Sequence, residues 1–166
     1  MSLTDTMVYD RTQADVDALL AILNKVYMSG YSALSADEIT ALSDADNKGA
    51  YNVNDVKRVI GAYLELEPQL LAQSIAVTID PTLTTSTFNA NKWMTTAQAA
   101  IYLANVEAIR NALTVYDDTP TTPNSMENLD FNMANDIERI LFDVSQLLDN
   151  MISAYYFSGE LYSGEV

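Results

Sequence analysis

The residues of this chain best spaced for chemistry are those of 44–55, Asp44-Ala45-Asp46-Asn47-Lys48-Gly49-Ala50-Tyr51-Asn52-Val53-Asn54-Asp55. Carboxylates or amides stand at places 1, 3, 9 and 12, with Gly at 6 and an apolar residue at 8. A loop wraps oxygen ligands round a hard divalent cation such as calcium in this way, the glycine making the sharp turn. Asp44, Asp46, Asn52 and Asp55 would be the ligands. Lys48, however, occupies place 5, where a ligand oxygen belongs. An ammonium group has no lone pair to give and repels the ion. The competing reading is a turn favoured by its Asp residues, with Asp55 helping to cap the helix that follows. That reading is preferred, so neither a metal nor a cofactor is expected.

Other carboxylates recur at helical spacing: Glu65 with Glu67, Glu127 with Asp130, and Asp136, Glu138 and Asp143. Such pairs do general acid–base work when a cleft holds them. No cleft is marked here, and charges on a helix ordinarily form its solvated face. Cysteine and histidine are both absent. This excludes disulfides, thiol nucleophiles, Cys/His zinc sites and every triad built on imidazole. The five glycines, Gly30, Gly49, Gly61, Gly159 and Gly164, make no phosphate-binding fingerprint. An enzyme is not expected. Asn105 and Arg110 flank the apolar stripe of a predicted helix and suit either a buried polar network or the surface, the surface being preferred.

The elements that must position these residues are helical. A length of 166 residues with 49% apolar and 19% charged content suits one folded domain. Thr12 with Asp15 is a helix start for roughly 13–28, whose apolar face is Val16, Leu19, Leu20, Leu23, Val26 and Tyr27. Ser35 with Glu38 caps a short helix over about 36–43. The third helix runs from about 53 to 66, with a break or kink at Pro68 and room for Gln69 to Ser74 to continue as a further turn. Ile75 to Ile79 reads as an extended strap rather than a strand, and Asp80 to Asn91 as a long loop. Thr95 with Gln98 caps a fourth helix over about 96–113, and a fifth covers about 133–155.

A short cassette occurs twice, as Tyr51-Asn52-Val53-Asn54-Asp55-Val56-Lys57-Arg58-Val59-Ile60 and as Phe131-Asn132-Met133-Ala134-Asn135-Asp136-Ile137-Glu138-Arg139-Ile140. Both copies read as helix starts, because Asn and Asp accept from the orphan N–H groups of a first turn. The fold class is therefore all-α: an irregular bundle of about five helices with two long polar loops. If the repeat reflects an internal duplication, the third and fifth helices should occupy comparable positions against the core.

Charge narrows the partners. Eight Lys and Arg stand against 23 Asp and Glu, a net charge of −15, and the cations are scattered. No basic stripe exists for phosphates, so neither nucleic acid nor an anionic membrane surface is expected. No apolar run is long enough to cross a bilayer, and the first residues do not read as a signal peptide. The aromatic segment Tyr155-Tyr156-Phe157, the following 157–166 and Trp93 are the candidates for partner contacts. Trp93, Tyr155, Tyr156, Phe157, Leu161 and Tyr162 are the residues selected, since aromatics favour interface anchors.

Two resemblances bear on function. The run 44–55 resembles the EF-hand loop, and still more the calcium loop of dockerins, which leaves a calcium-dependent protein-binding module as the alternative. Several ordered stretches together resemble a family of tail-associated virion structural proteins of Firmicutes phages and prophages. The stretches are Tyr9 to Asp17; Lys48-Gly49-Ala50-Tyr51-Asn52 with Asp55 and Arg58; Tyr102 to Val106 with Ile109-Arg110; Ala134 to Leu141; and Phe157 to Glu165. The resemblance implies a non-enzymatic assembly protein of a tail, baseplate or neck, made in the host bacterial cytoplasm and ending in the virion. Its partners would be other virion proteins, met in multiple symmetric copies.

Overall fold

The computed structural model describes residues 3–89 and 92–162, and among these residues there are five α-helices. They are α1 (Gln13–Ser29), α2 (Ala36–Ser43), α3 (Val53–Ala72), α4 (Thr96–Arg110) and α5 (Phe131–Tyr162). Short 3-10 turns at Leu3–Thr6 and Tyr31–Ala33 precede α1 and α2. No strand occurs among the described residues, and Ile75 to Ile79 is an irregular strap. The fold is an all-α bundle.

Four helices begin where local chemistry says they must. Thr12, Ser35, Asn52 and Thr95 each accept from the third backbone N–H of their helix, and Asp15, Glu38, Asp55 and Gln98 reach back to the cap. Such boxes satisfy two of the four orphan donors at a helix start. The fifth start differs from expectation. Asp130 Oδ1 accepts from Met133 N–H at 2.8 Å, so the cap stands just ahead of the second cassette and α5 opens at the cassette's first residue, Phe131, two residues before the expected start.

At Pro68, where the sequence predicts a break or kink before a further turn, α3 passes through as one helix and ends only at Ala72. A proline in a helix interior costs about 3 kcal/mol. Here the fully buried Leu66 and Leu70 lie on either side of it and hold both halves to the core. α3 closes at Ser74, in the left-handed conformation, with Ile75 N–H donating to Leu70 C=O.

α3, α4 and α5 pack against one another, and the 3–6 turn packs on α3 and α5. Tyr63, Ile60, Tyr102, Ile109, Ile137, Ile140 and Leu148 are sealed between them. The 73–89 segment is not a surface loop throughout: Ile79, Leu83 and Phe88 plug the same core. Both α3 and α5 lie against the core, as the cassettes suggested. α1 instead packs on α2 and on the 31–33 turn. Gly49 brings the 44–51 loop against it: a Cβ there would stand 2.5 Å from Asp15 C=O and 2.7 Å from Leu19 Cβ, closer than any side chain permits. Lys25 ties α1 to α2 through both oxygens of Glu38, at 2.7 and 2.9 Å.

Candidate functional site

Four charged side chains meet where residues 7–12, an N-terminal strap between the 3–6 turn and α1, cross α3 and α5. Asp55 is the third residue of α3; its Oδ2 caps Asn52 N–H at 2.7 Å, which leaves Oδ1 for other donors. Arg11 Nη2 lies 2.8 Å from that Oδ1 and 2.7 Å from Glu138 Oε1. Arg58 brackets the same carboxylates. Its Nε is 2.8 Å from Glu138 Oε2, its Nη2 2.9 Å from Oε1, and Nη2 also bonds Asp55 Oδ1. Val8 N–H donates to Glu138 Oε2 at 2.7 Å. Asn135, one turn before Glu138, grips the strap backbone in both directions: Arg11 N–H donates to its Oδ1 and its Nδ2 donates to Arg11 C=O.

Arg11, Asp55 and Glu138 are all buried. Two cations and two anions balance, which is the condition for charges to persist away from water. Each oxygen of Glu138 accepts two bonds, and Asp55 spends one oxygen on its cap and the other on both arginines. The cluster is a clasp between chain segments; neither carboxylate is left to take a proton from a substrate. The Arg11 guanidinium also sits 5.4 Å above the Tyr51 ring, whose hydroxyl bonds that of Tyr102. Burial, and next the charge of Glu138, push the Tyr51 phenol far above its usual range. Burial does the same to Tyr102, with Tyr51 as its second cause.

The clasp corrects the expectation of a solvated acidic face. Glu138 and Asp143 are buried, Asp143 accepting from Thr119 Oγ1 at 2.7 Å and Arg139 Nε at 2.6 Å. Asn105, preferred for the surface, is also buried and pairs with Asp80 through both N–H and C=O of that backbone. Arg110 is half-buried and donates to Pro120 C=O at 2.6 Å. One signal in the sequence pointed to Glu138: it falls in step with Ala134, Leu141 and Ser145, at four–three–four spacing, on the inward face of α5.

The proposed calcium ligands have other engagements. Asn52 Oδ1 accepts from Asn54 N–H at 2.8 Å and from Asp55 N–H. Asp44 Oδ1 takes Asp46 N–H at 3.0 Å, and Asp46 Oδ1 lies 4.0 Å from Arg58 Nη1. Lys48 reaches out to Asp10 at 2.6 Å. Among the described residues, no group of three or more acidic side chains is placed to hold a metal ion.

The aromatic candidates lie apart along the chain. Trp93, half exposed, stands on the rim of a groove of about 520 Å³ beside the start of α4, with Met94, Leu103 and Met126 in its wall. Tyr155 is exposed on α5. Tyr156, Phe157, Leu161 and Tyr162 belong to the last turns of that helix, which runs past its expected end, and their side chains lie outside the described residues. The remainder of the expected docking tail, 163–166, also lies outside the described residues.

The surface that sequence reasoning missed is on α1. This helix of 17 residues buries none of them. Leu20, Leu23, Tyr27 and Met28, with Tyr31 just beyond, are between 43% and 87% exposed. Leu19, Ile22 and Val26 are half-buried on the adjacent side. The apolar arc of α1 is therefore continuous, and only part of it is covered. Clusters of exposed large apolar residues mark interaction surfaces.

Comparison with known proteins finds no matching family model, no matching curated protein and no matching solved structure.

Proposed function

We propose that this chain is a non-enzymatic structural subunit of a phage particle, a component of the tail, baseplate or neck that works through contacts with neighbouring virion proteins. The observation that carries the reading is the uncovered apolar face of α1, which suits a chain completed by assembly. The clasp adds support. The stretches that carry the family resemblance supply its members: Arg11 from the first, Asp55 and Arg58 from the second, Asn135 and Glu138 from the fourth. The motif residues thus serve to hold the subunit together rather than to face a substrate. The excess of surface acid is consistent with assembly among other proteins and opposes binding to phosphate backbones.

Mass spectrometry of the sedimented particle fraction from a producing culture tests this reading. Peptides of this chain in fixed ratio to capsid or tail proteins are the expected result; absence from particles, with the chain free in the lysate, overturns it. Deletion of 157–166 should block incorporation while leaving the helical signal of the purified chain nearly intact.

A further inference from the structure

The open face of α1 runs into a groove. Val16, Leu20, Leu23 and Tyr27 follow along one stripe of the helix, and the last three are exposed. Val16 is half-buried and also lines a groove of about 480 Å³ at the foot of α1. Ala50 and Tyr51, with Leu129 and Phe131 at the start of α5, line the same groove. The apolar surface is therefore continuous from Tyr27, down about 17 Å of helix axis to Val16, and on into the groove. We propose that this surface docks a basic amphipathic helix of another protein, its apolar side laid on the stripe and its lysine and arginine side chains over the acidic rim. The inference rests on the reading of the chain as an assembly subunit and names the chemistry of one neighbour.

Charge selects the occupant. Residues 13–51 hold Asp15, Asp17, Asp37, Glu38, Asp44 and Asp46 against two lysines, Lys25 and Lys48. Both lysines are engaged within the subunit, Lys25 on Glu38 at 2.7 Å and Lys48 on Asp10 at 2.6 Å. Lys25 also lies about 200° round the helix from Leu23, on the side away from the stripe. Asp17 stands beside the stripe, about 60° round the helix from Leu20. Its carboxylate takes a neutral amide, Gln13 Nε2 at 2.8 Å. Asp37 and Asp44 are exposed on the elements next to α1. No cation of 13–51 is left over to neutralise these three. Such a rim, on a chain of net charge −15, repels acidic surfaces, a second copy of this chain among them, and draws basic ones. Anionic lipid is repelled for the same reason.

The fold selects a helix over an extended segment. No strand occurs among the described residues, so an extended segment laid here finds no sheet edge for its backbone N–H and C=O groups. A helix satisfies its own and needs only side-chain contacts, at the three–four spacing that the stripe offers. α1 is also fixed before the partner arrives: Gly49 seats the 44–51 loop against Leu19, and Glu38 holds Lys25. A surface held in place loses less freedom on binding.

Two synthetic peptides of about 18 residues, long enough to follow α1, test the docking. They share one leucine stripe; one carries lysine at every other position and its counterpart glutamate. Fluorescence anisotropy with the full chain should show the lysine peptide bound and the glutamate peptide free. The double variant Leu20→Ser/Leu23→Ser should weaken the lysine peptide about 30-fold or more, because two apolar contacts go while the charge stays the same. Asp17→Asn should weaken it about 2–5-fold. Tyr155→Ser, an exposed site on α5, should leave it unchanged. Circular dichroism should show these variants folded, because the altered side chains are exposed. Carbodiimide, which condenses a carboxylate with an amine by loss of water, should join Asp17 to a peptide lysine, as read by mass spectrometry. A lysine peptide that stays free, a glutamate peptide that binds as well, or undiminished binding by the double serine variant would each overturn the proposal. The last result would mean that the charge of the whole body, and not the stripe, holds the peptide. Incorporation into particles is scored separately, so a chain found in virions that fails the peptide test loses this docking site and keeps the virion reading.

Discussion

α1 and α3 start alike and end in opposite surroundings. Each opens with a capping box and carries apolar residues at three–four spacing. α3 buries nine residues, among them Val56, Val59, Ile60, Tyr63, Leu66 and Leu70, between α4, α5 and the N-terminal turn. α1 buries none. The difference lies in what stands opposite. α2, with 8 residues, is about 12 Å long, and α1, with 17, about 26 Å. A helix half as long covers only part of the apolar arc. Periodicity reports that a helix has a face to bury; it does not report whether the same chain supplies the cover.

The largest expected effect lies at the clasp on the α3 side. Glu138→Ala strips four hydrogen bonds and leaves Arg11 and Arg58 with an excess of buried positive charge. Breaking one partner of such a cluster costs about 3–5 kcal/mol. Urea titration followed by circular dichroism should show that loss. A change below about 1 kcal/mol would mean that the clasp is not what joins the N-terminal strap to α3 and α5.

Next is an alkaline limit set by the same half. Tyr51 and Tyr102 are held neutral far above their ordinary value of 10.0, by burial before any other cause. Tyr63 is pushed up to about 12, again chiefly by burial. In the unfolded chain these phenols ionise near 10, so the folded state binds more protons above that pH. Stability is therefore full below pH 10 and falls as pH rises beyond it. Melting temperatures measured from about pH 9 to 12 should drop, and the drop should shrink in the double variant Tyr51→Phe/Tyr102→Phe. A flat profile would remove buried phenols from the account.

Smaller effects are expected in the α1–α2 half. Ser35→Ala removes the side-chain cap of α2 and should cost about 1 kcal/mol in a urea titration. Least of all, Leu20→Ser should change the stability of the single subunit by about 0.5 kcal/mol or less, at dilutions where no partner is bound. The comparable change in α3, Val59→Ala, removes fully buried methyl groups and should cost more than 1 kcal/mol, roughly in proportion to the cavity left. Equal costs at Leu20 and Val59 would break the contrast between the two helices.

The two cassettes teach a related lesson about legibility. In the first, Asn52 and Asp55 cap α3 as their spacing implied. In the second, the like-placed residues sit within α5: Asp130 has taken the cap, and Asn135 holds the Arg11 backbone instead. The residue types are alike, and the partner within reach decides the role. The same holds at 44–55, where the spacing suits a calcium loop and the fold turns Asp55 toward two arginines.

Sequence alone determined the all-α class and four of the five helix starts, because a cap is a contact between residues three apart and needs nothing from the rest of the chain. It also determined the chemistry that is excluded, since a chain without cysteine or histidine cannot acquire thiol or imidazole by folding. Only the tertiary structure decided that Arg11 meets Asp55 and Glu138 across 44 and 127 residues of chain, and that Pro68 stays inside a helix. It alone decided that the face of α1 is left open. Those outcomes depend on which distant surfaces come into contact, and on burial strong enough to outweigh local preference; neither quantity is written in any short stretch of residues.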